Sequence, residues 1–231
     1  MNKKILIIGV SKGFGYALAY FLLKRNFDVV LVSRNRLKLE EIKAKLSKYG
    51  NIEIIDADVG SREAIKYVKE KIGNIDGIAI SIGGYFEDNI YNIGNIDELI
   101  NNNIKYPIYI INELLDSLRN NSTILLVSNS YILNRGKIKE NLSYSISKAA
   151  NAKLVDILSS ELIDKNIRVV GIAPGTMEGD FEPERDYKKL RKIGEPRGTP
   201  EDIAVVASWL FTEEAEWING VVIPVDGGYN Q

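Results

Sequence analysis

Short runs of β-branched and aliphatic residues alternate along this chain with longer segments of helical period. Strand-like runs occupy residues 5–8, 28–32, 52–55, 77–80, 123–127, 167–172 and 221–225. Between the second and third, Leu39, Ile42, Leu46 and Tyr49 recur on one helical face, and Gly50 closes the stripe. Ala64, Ile65, Val68 and Ile72 form a second stripe that ends at Gly73. Thr199-Pro200-Glu201-Asp202 reads as a helix start, with a hydroxyl cap, proline at the first position and acids in the first turn. A further helix is expected to open over residues 17–21. Strands alternating with helices predict an α/β fold, a doubly wound parallel sheet of about seven strands with helices on both faces. No repeat, low-complexity tract or linker divides the 231 residues, so a single domain over 1–231 is expected.

Composition then removes several classes of function. Thirty basic and thirty-one acidic side chains leave a net charge of −1, so no global field draws nucleic acid or an anionic membrane. Met1-Asn2-Lys3-Lys4 ahead of Ile5-Leu6-Ile7-Ile8 imitates a signal peptide. The apolar run stops at Gly9 without a small-residue cleavage site and reads better as a first strand. No stretch approaches the roughly 18 apolar residues of a membrane span. The chain has no cysteine and no histidine, which excludes disulfides and thiolate metal sites and leaves no zinc chemistry to expect. A reducing cytoplasm is the expected compartment. Proton chemistry must therefore rest on Tyr, Lys, Asp or Glu.

Tyr144-Ser145-Ile146-Ser147-Lys148 answers that requirement, because four residues on a helix set phenol and ammonium one above the other. A cation within about 4–6 Å favours the phenolate, so Lys148 is expected to pull the Tyr144 phenol down from about 10. Gly9-Val10-Ser11-Lys12-Gly13-Phe14-Gly15 follows the first strand directly and opens a helix. Glycines there permit a tight turn and close approach of a pyrophosphate, and the helix terminus adds free N–H groups. At the end of the second strand an acid would bind the ribose hydroxyls of NAD. Ser33-Arg34 stands there instead, and with Lys12 it favours a 2′-phosphate and so NADP(H). Asp58, read as ending the third strand, is expected to accept from the adenine amino group, with Val59 beside it.

These features resemble the short-chain dehydrogenase/reductase family over nearly the whole chain. The glycine loop is similar to that family's TGxxxGxG, Tyr144-x3-Lys148 to its YxxxK, and Pro174-Gly175 to its PG after the sixth strand. Arg197-Gly198-Thr199-Pro200-Glu201-Asp202-Ile203-Ala204, Asn219-Gly220 and Val225-Asp226-Gly227-Gly228 resemble its closing RxGxPEEIA…G…VDGG. The resemblance implies a Rossmann-type domain in which Tyr144 is the general acid. It implies that Lys148 tunes the phenol and holds the nicotinamide ribose, and that Asn103 keeps a water behind the lysine. Gly83, Pro174, Gly175 and Met177 would line the nicotinamide. For the family serine, counting back thirteen residues from Tyr144 gives Tyr131 and counting along the fifth strand gives Asn129. Ser130, one loop residue out of step, is the first choice, with Ser128 and Asn129 the alternatives. Departures are Ile8 for the family threonine, Ile80-Ser81-Ile82-Gly83 for its NNAG, and Gly179 for a second threonine.

The expected activity is NADP(H)-dependent hydride transfer to a carbonyl, without metal, as in a 3-oxoacyl reductase or small-ketone reductase. The substrate would be a small molecule or an acyl thioester. A lid is expected over residues 177–198, where Lys188, Lys189, Arg191 and Lys192 offer a surface for an acidic acyl carrier. The resemblance also implies a homo-oligomer, dimer or tetramer. The alternative is a non-catalytic NADP(H)-binding sensor or scaffold with the same fold.

Overall fold

The computed structural model describes residues 2–133 and 140–229. β1 (Lys4–Ile8) starts at the centre of the sheet. The chain winds outward through α1 (Phe14–Lys24), β2 (Asp28–Ser33), α2 (Arg36–Leu46) and β3 (Ile52–Asp56). After α3 (Arg62–Ile72) it crosses to the other side of β1 and lays down β4 (Ile75–Ile80), α4 (Ile96–Ile100), α5 (Tyr106–Leu114), β5 (Leu118–Val127), α6 (Leu142–Glu161) and β6 (Arg168–Pro174). A two-stranded ladder of β7 (Thr176–Met177) and β8 (Arg197–Gly198), then α7 (Pro200–Trp209) and β9 (Val222–Val225), complete it. The main sheet has seven strands in the order β3-β2-β1-β4-β5-β6-β9, all parallel.

Successive residues of a strand face opposite sides, so each strand feeds two cores. Ile5 and Ile7 of β1, with Val29 and Leu31 of β2, pack against α1, α2 and α7. Leu6 and Ile8, with Val30 and Val32, pack against α3 and α5. The parallel sheet is thus covered on both faces, which is why the middles of its strands are apolar and most of their polar residues sit at strand ends.

Every expected strand is present, most of them one or two residues longer. β9 is one residue shorter, starting at Val222, and β5 starts five positions early, at Leu118 rather than 123. Its first turn of sequence, Leu118-Arg119-Asn120-Asn121, is polar because it lies at the sheet margin, where Arg119 pairs with Asp76 at 2.7 Å. α1 also outruns its expected span, since it is buried nearly all round and shows no clear apolar stripe. Asp58 does not end β3, which stops at Asp56; it sits in the following turn and accepts from Gly60 N at 3.2 Å. Ser61 caps α3 through Ala64 N at 3.1 Å, and Gly73 follows the helix with φ +62°.

Residues 177–198 form a strap anchored on the first turn of α7. Arg185 grips Glu201 with Nε to Oε1 at 3.0 Å and Nη2 to Oε2 at 2.9 Å. Arg191 Nε donates to Asp202 Oδ1 at 2.9 Å, while Asp202 Oδ2 accepts from Thr199 N and Oγ1. Phe181 inserts edge-on against Tyr16 and beside Tyr20, and its N–H donates to Lys12 O at 2.8 Å. Glu201 is 1% exposed, so its charge depends on Arg185. Arg185→Ala is expected to lower stability by about 3 kcal/mol in equilibrium urea unfolding, the cost of leaving a buried charge unpaired.

Candidate active site

Loops after β1 and β4 run in opposite directions from the centre of the sheet, and a crevice of about 950 Å³ opens between them. Gly9, Ser11, Ser33, Arg34, Asp58, Val59 and Gly83 all line it. Gly9 is required by the backbone. Its φ is +93°, and a Cβ there would lie 2.7 Å from Ser81 C and 2.8 Å from Ile82 N. Ser81 Oγ donates to Gly9 O at 3.1 Å, so the Ile80-Ser81-Ile82 sequence keeps a side-chain tie between the two loops. Gly13 precedes the first turn of α1, Phe14 is buried, and Gly15 packs on Val10, where a Cβ would meet its Cα at 3.1 Å.

Arg34 and Asp58 face each other across the rim at 3.9 Å, both largely exposed. Lys12 is not among the residues that line the crevice, and its largely exposed ammonium lies 3.6 Å from Asp180 of the strap. Glu98, Asn102 and Tyr106 also line the crevice, and Asn102 Nδ2 donates to Gly83 O at 3.3 Å. The three consecutive asparagines were the available signal for Asn102. Pro174 ends β6 buried, and Met177 is exposed in β7. Gly175 borders a second cavity of about 420 Å³ beneath the strap, with Thr176, Tyr187 and Asp226.

The end of β5 and the start of α6 meet residue by residue. Lys148 Nζ donates to Val127 O at 2.8 Å, Ser128 Oγ donates to Lys148 O at 2.9 Å, and Asn129 Nδ2 donates to Tyr144 Oη at 3.3 Å. Tyr131 N donates to Asn129 Oδ1 at 2.8 Å, which turns the amide so that its NH2 faces the phenol. Ser130, the sequence's first choice, is buried in the turn after β5, and the loop insertion that would shift it into place falls partly in 134–139, outside the described residues. Tyr144 and Lys148 share one face of α6, with Nζ 5.8 Å from the ring centroid. Asn103, in a π turn over Asn101–Lys105, donates to Ser147 Oγ at 3.0 Å, and Asn151 Nδ2 donates to Asn103 O at 2.9 Å. Ser147 and Asn151 lie three and seven residues after Tyr144, and that polar stripe along one helical face is the sequence signal by which they could be found. Asn103 Oδ1 is buried without a partner among the described residues. It and Lys148 Nζ face one point, 3.7 and 3.8 Å from where a Cβ on Gly83 would sit, so the cluster adjoins the crevice.

The expected acidification of the phenol is not found. Burial raises the Tyr144 phenol above its ordinary value, an effect the Asn129 amide opposes. The Lys148 ammonium points to the Val127 carbonyl instead of the phenol oxygen.

Similarity to known proteins agrees with the fold. The family described as enoyl-(acyl carrier protein) reductase matches residues 9–230. The oxidoreductase YmfI of Bacillus subtilis is 28% identical, with all of both chains aligned. An oxidoreductase of Staphylococcus saprophyticus is 28% identical over 92% of each chain. Among solved structures, a dehydrogenase/reductase from Sinorhizobium meliloti superposes with a TM-score of 0.87 at 25% identity, covering 99% of this chain and 95% of the other. The Pseudomonas aeruginosa RhlG/NADP complex has the same fold, with a TM-score of 0.87 at 24% identity over 99% and 96% of the two chains.

Lys148 is 5% exposed, and burial lowers its pKa from 10.5 to about 8. Between those values the unfolded chain binds a proton that the folded chain has released, so stability contributed by this group rises with pH across the window. Below about 8 both states are charged and the burial penalty is felt in full. Relative to Lys148→Met, the wild type should therefore gain on the order of 3 kcal/mol from pH 8 to 10.5, measured by paired denaturant unfolding.

Proposed function

The chain belongs to the short-chain dehydrogenase/reductase family of oxidoreductases, and from that premise we propose that it is an NADP(H)-dependent carbonyl reductase working through Tyr144. The observation that carries the reading is the phenol held by the Asn129 amide at 3.3 Å, beside a buried lysine that adjoins the crevice. The crevice fits a dinucleotide phosphate. Gly9 lets the β1 and β4 loops meet at its floor, Ser11 and the free N–H groups at the start of α1 suit a pyrophosphate, and Ser33 with Arg34 suits a 2′-phosphate. Asp58 and Val59 would border the adenine, and Gly83, Pro174, Gly175 and the Met177 backbone the nicotinamide.

Bound there, the reduced cofactor supplies the hydride. Tyr144 gives its proton to the carbonyl oxygen. Its raised pKa keeps the phenol protonated at neutral pH, the form that reduction consumes. Asn129 takes the place of a serine. An amide NH2 donates and cannot accept, so its bond occupies a lone pair of Oη and leaves the phenolic hydrogen free to turn outward. Negative charge developing on the oxygen is stabilised by the same donor. Lys148 replenishes the proton, and a water between Lys148 Nζ and Asn103 Oδ1 would continue the path. Ser130 then shapes the turn that presents Asn129. The substrate is a small ketone or a 3-oxoacyl thioester, and assembly as a homo-oligomer in the cytoplasm belongs to the same reading.

Turnover of NADPH is to be measured with a 3-oxoacyl thioester, a diketone, an aldose and a quinone; tight NADPH binding without turnover of any would favour the sensor reading. Tyr144→Phe should keep NADPH affinity and lose about 100-fold or more in kcat, the usual worth of a general acid. Arg34→Glu should narrow the preference for NADPH over NADH by about tenfold or more in fluorescence titrations, the loss of one charge-assisted grip on phosphate. Equal affinities in the wild type would remove the argument from Ser33-Arg34.

A further inference from the structure

Asp88 lies in the loop after β4 and lines neither the crevice nor the space around the Tyr144 phenol, yet it is 4% exposed. A buried carboxylate needs donors. The Ser143 hydroxyl donates to Oδ2, Ser143 N donates to Oδ1 at 3.0 Å, and Gly94 N donates to Oδ2 at 3.2 Å. The Asp88 backbone oxygen accepts in addition from Leu142 N at 3.2 Å. These bonds, the Ser143 hydroxyl foremost, hold its carboxyl below the usual carboxylate range.

Leu142 and Ser143 are the first two residues of α6. The residue that should cap them, Asn141, is left-handed at φ +68° and makes no side-chain cap bond. The orphan N–H groups at a helix start must be satisfied from somewhere. Here a carboxylate 55 residues earlier supplies the cap and places a negative charge at the positive end of the helix dipole. Ser143 is fully buried, and the next residue is Tyr144. The loop that carries Asp88 also carries Tyr85, whose ring stands edge-on to Tyr144 at 5.2 Å and 74°.

We propose that Asp88 is a positioning residue for the reaction. By capping α6 from the β4 loop it fixes the start of the helix, and with it the Tyr144 phenol, against the Tyr85 wall. The inference rests on the reductase reading. It differs from that reading in naming a group that touches neither substrate nor cofactor and acts through Ser143.

The test uses the full chain and whichever of the four carbonyls the wild type reduces fastest. Asp88→Ala should lower kcat about 30-fold, within the range expected when a reacting group is displaced by about 1 Å. NADPH affinity should stay at the wild-type value, because the crevice takes only Ser81, Ile82 and Gly83 from this loop and Asp88 does not line it. Amide exchange of peptides from 142–147 should quicken by about tenfold while those of β1 and α1 do not change. Asp88→Asn keeps an acceptor for Ser143 N and should recover most of the rate. Asp88→Ala combined with Ser143→Ala should be no slower than Asp88→Ala, since both remove one interaction. If Asp88→Ala does not fold, Ser143→Ala carries the same comparison, expected to reduce kcat without changing NADPH affinity. Wild-type kcat in Asp88→Ala or Ser143→Ala, or unchanged exchange at 142–147, overturns the proposal. So does a rate loss matched by an equal loss of NADPH affinity. A wild type that reduces none of the carbonyls overturns the reductase reading itself, a result separable from inactive variants of an active parent.

Discussion

Everything around the site depends on a buried ammonium having somewhere to go. Taking a charge out of water is costly unless hydrogen bonds replace the hydration, and Lys148 finds its replacement in the last carbonyl of β5, Val127 O. That bond sets α6 along the strand in one register. Ser128 reinforces it by bonding the Lys148 carbonyl, and Asn129, one residue further, then falls opposite Tyr144. Ser147 and Asn151 on the same stripe of α6 seize both ends of Asn103. The bonds that hold helix to sheet are therefore the bonds that arrange the chemistry, and neither can be loosened alone.

Much of the architecture was legible because its cause is local. Nearly unbroken Ile, Val and Leu runs mark strands covered on both faces, and Gly50, Gly73 and Thr199-Pro200 punctuate the helices. The lapses have local causes too. The polar start of β5 sits at the sheet margin, and α1 shows no stripe because every side of it is buried. Within the site, helical spacing placed Tyr144 and Lys148 on one face, but spacing says nothing of which way an ammonium points. Counting backward from Tyr144 runs through a loop of variable length and gives Tyr131, and Ser130 serves only if that loop holds one extra residue. Counting forward along β5 reaches Asn129, because a strand's register in the sheet decides which residue leaves its end.

The strap over residues 177–198 uses part of its charge to hold itself in place. Its mixture of acids and bases reads as a surface for an acidic partner. In the fold, Arg185 and Arg191 are bound to Glu201 and Asp202, and Lys189 to Asp186. The electrostatic case for a carrier is left to Lys188 and Lys192. The acids of the α7 first turn, which propensity assigns to the helix dipole, serve as anchors for a segment that covers their helix. Lys12 follows the same pattern, tied to Asp180 at the strap's beginning, where the glycine loop also accepts the Phe181 N–H.

Gly9 carries a wider consequence. What forbids a side chain there is the main chain of Ser81 and Ile82, which belongs to the neighbouring strand's exit. A descendant that abandoned its nucleotide would still be obliged to keep that glycine, or see two central strands pried apart. Glycine signatures of this sort are thus inherited as masonry. On the proposed mechanism, the amide at 129 and the phenol at 144 would be the more telling letters in ranking relatives for activity.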